Sequence, residues 1–212
     1  MVELPKLKPI NDKSHVKYKS GDIRSGYPTL PSQERKKILL LSDDIRFFSG
    51  VATQSREIVL GTIHRYDWCQ IGAALKHPEQ GKKIMLSESV EKETGVEDAY
   101  LNIYCNTGYG NRNSLLEVIG YENPDAIFHF TDPRQWGWLY MMEYELRSKG
   151  IPLIYYNIWD DSPSPMWNRS AYKSCDLLMG ISKQTFGLNK DVLRKDNFRL
   201  IEHNWVGLNV RL

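Results

Sequence analysis

Four short stretches of this sequence carry side chains able to hold a ligand or move a proton, and each lies just after an apolar run. The first, SDDIRFFSGVAT at 42–53, reaches Ser49 and Gly50 where a helical pattern begins. A glycine at a helix start lets the backbone approach a ligand, and unpaired amides there favour negative charge. A simple tight turn explains Gly50 equally well. The second, NTGYGN at 106–111, is a polar loop containing Gly108 and Tyr109. A lone G-x-G is usually a turn, so its weight comes from facing the same edge as the first loop. The third, HFTDPR at 129–134, places Asp132 and Arg134 just past an apolar run. His129 alternates with Phe128 and Phe130, the pattern of a hydrogen-bonded core histidine, and Asp132 before Pro133 is good capping chemistry. The fourth offers Asp160 and Asp161, hard oxygen ligands for a divalent ion. Consecutive acids in a Pro/Ser loop more often solvate or cap, and no metal is assigned to them.

The elements that must position these residues follow from periodicity. Strand-like runs lie at 37–42, 68–73, 100–105, 126–130, 152–157, 177–181 and 198–202, with helical segments at 50–63, 111–121, 136–149, 165–174 and 183–194. In the first helix Val51, Ala52, Ser55, Ile58, Val59, Thr62 and Ile63 form one face. Nearly continuous apolar strands alternating with helices predict a mainly parallel sheet covered on both sides. The fold class is therefore α/β, a Rossmann-like doubly wound sheet. Ligands of such sheets bind beyond the carboxyl ends of the strands, where strand order reverses. All four stretches fall at strand carboxyl ends. The dinucleotide fingerprint G-x-G-x-x-G is missing from the first loop, which argues against a nicotinamide cofactor.

Composition sets the outer bounds. With 212 residues there is room for one large domain, and a net charge of +2 singles out neither nucleic acid nor an anionic membrane. The three cysteines fit no zinc spacing or disulfide framework, as expected of reduced core thiols in the cytoplasm. The N-terminus shows no signal-peptide pattern and no run of about 18 apolar residues suggests a membrane span. Residues 1–35, rich in Lys, Ser, Pro and Gly, read as an extended or partly ordered arm, and 36–212 as the folded domain.

These segments resemble the retaining family 4 glycosyltransferases of the GT-B fold. The likeness rests on Lys37–Asp43 followed by FSGVAT at 48–53, on NPDAIFHFTDP at 123–133, and on SCDLLMGISKQ at 174–184. With WDDSPSP at 159–165, the sequence is most similar to glycosyltransferase-like proteins of tailed phages and marine metagenomes. The resemblance implies the N-terminal, acceptor-side one of two Rossmann-like domains facing a cleft. Ser49 and Gly50 would approach the phosphates of a nucleotide-sugar donor, with Ser-Gly standing where the family often has Gly-Gly. Gly108, Tyr109, Arg134, Asp160 and Asp161 would line the acceptor side, with His129 and Asp132 as candidates for a base or electrostatic role. The expected activity is hexose transfer to a glycan, modified base or protein, with no cofactor beyond the donor. The sequence stops near the family's interdomain connection, so the donor-binding domain is expected to be absent or to come from a separate C-terminal half. Such a chain would be inactive alone. A stand-alone carbohydrate- or nucleotide-binding module is the alternative.

Overall fold

The computed structural model describes residues 28–193. Seven strands form one sheet: β1 (Lys36–Asp43), β2 (Tyr66–Ala74), β3 (Lys83–Met85), β4 (Leu101–Thr107), β5 (Ala126–His129), β6 (Leu153–Asn157) and β7 (Leu177–Gly180). Their spatial order is β3-β4-β2-β1-β5-β6-β7. All neighbours pair in parallel except β3, which runs antiparallel along the edge of β4. Without β3, the order is that of the doubly wound dinucleotide-binding fold, with the reversal between β1 and β5.

The helices are α1 (Gly50–Thr62), α2 (Ser87–Thr94), α3 (Arg112–Glu122), α4 (Gly137–Tyr140), α5 (Glu143–Ser148), α6 (Arg169–Lys173) and α7 (Lys183–Leu193). β1 shows why its sequence is apolar at every position from Ile38 to Leu41. Leu39 and Leu41 enter one core with residues of α3 to α7, while Ile38 and Leu40 enter a second core with Val59 of α1 and Val90 of α2. A central parallel strand buries both faces, so the usual alternation with polar residues disappears.

The predicted segments return with three changes. The stretch between β2 and β4 contains β3 and α2, which periodicity did not reveal. The helix expected over 136–149 is divided into a 3-10 turn (Pro133–Trp136), α4 and α5; that over 165–174 becomes a 3-10 turn (Met166–Asn168) and α6. The run at 198–202 and most of the N-terminal arm lie outside the described residues. The described end of the arm is fastened: Leu30 N donates to His64 O at 2.9 Å, and the Arg35 guanidinium donates to the carbonyls of Leu30, Glu97 and Asp98. Among the described residues, no helix is long and apolar enough to cross a membrane.

Candidate functional site

The strand order reverses between β1 and β5, and in sheets of this kind the ligand crevice lies beyond the carboxyl ends of those strands, here beside the start of α1. The cap of α1 forms within this crevice. Ser49 Oγ accepts from Ala52 N at 2.9 Å and donates to Asp43 Oδ2 at 2.7 Å. The Ser49 hydroxyl is thereby committed to the cap, and the Asp43 carboxylate stands at the positive end of the helix, where its charge is favoured. Among the described residues, the amides of Gly50 and Val51 have no hydrogen-bond partner. A Cβ built on Gly50 would meet nothing within 4 Å, so the helix start is open. Phe48, fully exposed, stands next to it.

On the β5 side, Asp132 caps its own turn. Its Oδ1 accepts from Arg134 N at 2.9 Å and Arg134 Nε at 3.0 Å. Burial alone would raise the Asp132 carboxyl, but the Arg134 hydrogen bonds outweigh it and hold the group below the usual range. Tyr109 belongs to the same neighbourhood: partial burial and then the charges of Asp43 and Asp132 push its phenol up. Gly108 adopts φ +71°, and its N donates to Ala74 O at 2.7 Å, turning the chain back over the end of β2. This left-handed conformation suits glycine.

His129 is a core residue rather than a crevice residue. It is fully buried, stacks on Tyr155 at 4.9 Å and lies 2.6 Å from the Tyr140 hydroxyl through Nδ1. Burial pulls its pKa down to about 3, so it is neutral at physiological pH. A group sealed in the core lacks the access to substrate that a general base requires. Asp160 and Asp161 are exposed in the loop after β6, where Asp161 Oδ1 accepts from Ser162 N at 2.7 Å. Neither belongs to a compact group of three potential metal ligands among the described residues.

One such group does exist, and sequence spacing gave no sign of it: Asp44, His77 and Cys105, all buried. Arg46 already bridges two of the three: its Nη2 lies 2.7 Å from Asp44 Oδ2 and 3.3 Å from Cys105 Sγ. His77 Nδ1 accepts from Glu79 N at 3.0 Å, so the ring proton sits on Nε2, which donates to Asp44 Oδ2 at 3.0 Å. Metal binding through Nε2 would move that proton to Nδ1, against the Glu79 N–H. The arrangement is a guanidinium-centred network that fixes the loop between β1 and α1.

No family model matches this chain, and no curated protein does either.

Proposed function

We propose that this chain is the acceptor-side domain of a two-domain glycosyltransferase that moves a hexose from a nucleotide sugar to an acceptor. The carrying observation is the placement of two unpaired amides, Gly50 and Val51, at the strand-order reversal, with Asp43, Tyr109 and Asp132 around them. Backbone donors aimed at diphosphate oxygens would stabilise the charge that grows as the bond to the sugar breaks. Asp43 and Asp132 would accept hydrogen bonds from sugar hydroxyls. Asp43 also repels phosphate, so donor affinity in this chain alone is weak, and the cations that complete the site belong to a second, C-terminal half. The proposal needs no cofactor besides the donor. Free, buried cysteines at 69, 105 and 175 suit the cytoplasm, where nucleotide sugars are plentiful.

Asp43 favours one second reading. A helix start already facing a carboxylate suits neutral hydroxyls better than a bare anion, as in a stand-alone carbohydrate-binding module. Calorimetric titration with UDP, UDP-glucose, GDP-mannose and free hexoses separates the two. The transferase reading expects magnesium-independent binding of nucleotide sugars with Kd on the order of 1 mM or tighter. Binding of free hexoses alone would support the module, and binding only with magnesium would return attention to Asp160 and Asp161.

A further inference from the structure

A concave surface lies between α4 and α6, away from the start of α1. Its volume is about 380 Å³, and its walls include Arg134, Gly137 and Met141 on one side and Trp167, Asn168 and Ser170 on the other. That volume falls within the ~300–1,000 Å³ of ordinary small-molecule sites. Trp167 is 58% exposed and Met141 81% exposed. Trp159 meets Trp167 edge-on at 5.7 Å, and the Arg134 guanidinium lies 5.3 Å from the Trp159 ring. Clustered exposed aromatic and apolar side chains of this kind mark a binding surface.

The polar groups narrow the ligand. Arg134 is the one charged residue in the walls, and Asp132 neutralises it through Nε and Nη2, leaving Nη1 without a partner among the described residues. Asn168 is 4% exposed, and its Nδ2 meets no hydrogen-bond partner in good geometry among the described residues. Asn168 lies beside the Tyr172 hydroxyl, which accepts from Asn157 Nδ2 at 2.8 Å and keeps a second lone pair. Asn168 brings its amide to the wall of the groove, where a ligand oxygen would pair with it. Ser170 adds an exposed hydroxyl at the mouth. The complementary ligand has an apolar ring face to lie on Trp167, several hydroxyls, and no net charge. A nucleotide would need cations not already neutralised, and an apolar helix would leave Asn168 and Ser170 unpaired.

We infer that the groove between α4 and α6 binds a neutral oligosaccharide on the face of Trp167, which Trp159 braces edge-on. The Asp132–Arg134 pair joins the groove to the crevice. A glycan seated here would lead into the crevice as an acceptor; that role rests on the transferase reading, whereas the binding does not.

The six tryptophans supply the test, because each indole N–H gives its own NMR signal. The full chain is titrated with maltotriose, mannotriose and chitotriose, and separately with UDP and a trigalacturonate. At least one neutral trisaccharide is expected to shift the Trp167 and Trp159 signals and leave buried Trp68 in place, with Kd on the order of 1 mM. Trp167→Ala and Ser170→Arg, both at exposed positions, should each weaken that binding at least tenfold. The inference is overturned if none of the three sugars moves Trp167, if both variants bind as the parent does, or if UDP or the trigalacturonate binds the groove more tightly. Calorimetric binding of nucleotide sugars that is the same in Trp167→Ala and the parent would support the crevice whatever the groove does.

Discussion

Glu122 shows what a single buried charge contributes when it is fully partnered. Its side chain is 1% exposed, and its carboxylate accepts from Tyr100, Tyr104, Asn102, Lys37 and Lys83. Burial alone would raise its pKa, but these hydrogen bonds, led by Tyr104 and Tyr100, bring it down to about 2. Because the folded carboxyl titrates below the unfolded one, its stabilisation is present above about pH 4 and is lost as pH falls towards 2. Glu122→Gln is expected to cost about 2–3 kcal/mol at pH 7 and much less at pH 3, read by urea denaturation at both values. An equal loss at both would contradict an ionic role. His129 gives a complementary test. Its folded pKa of about 3 lies below the unfolded value, so the unfolded state takes up the proton first and stability falls as pH drops below about 6.5. Its imidazole Hε1 signal should stay fixed from pH 5 to 8; a titration centred near 6.5 would mean that the ring reaches solvent.

At the scale of elements, packing decided what could be read in the sequence. The six parallel strands were legible because burial on both faces makes them continuous apolar runs. β3 was not, since it is three residues long with no fully buried position, and α2 buries only Val90 and Thr94 among charged neighbours. Ser49 and Gly50 were legible as a helix start. The part played by Asp43 was not, because the link from strand end to cap exists only after α1 packs back on the sheet. The Asp44–His77–Cys105 group likewise joins three chain segments with no motif spacing. It also explains a glycine: a Cβ at Gly72 of β2 would stand 2.9 Å from Asp44 Oδ2 and 2.9 Å from Ile103 Cγ2. Gly72→Ala should therefore destabilise by about 1–3 kcal/mol in thermal denaturation. Gly61→Ala in α1, where a Cβ meets nothing within 4 Å, is the control and should be neutral or stabilising. Equal melting temperatures for the two variants would contradict the close approach.

For the whole molecule, strand order, the guanidinium-centred network and the α1 cap act together to hold an open helix start at the reversal between β1 and β5. It is there that the proposed transferase would receive the phosphates of its nucleotide sugar. The most direct measurement is a backbone amide titration of the isotope-labelled chain with UDP-glucose and GDP-mannose. The Gly50 and Val51 signals should shift saturably with at least one of them, and Gly50→Val, which has open space for its side chain, should remain folded while weakening that binding several-fold. If both amides stay in place in a folded sample, or bind as well in Gly50→Val, the helix start does not receive the phosphate and the transferase proposal is contradicted.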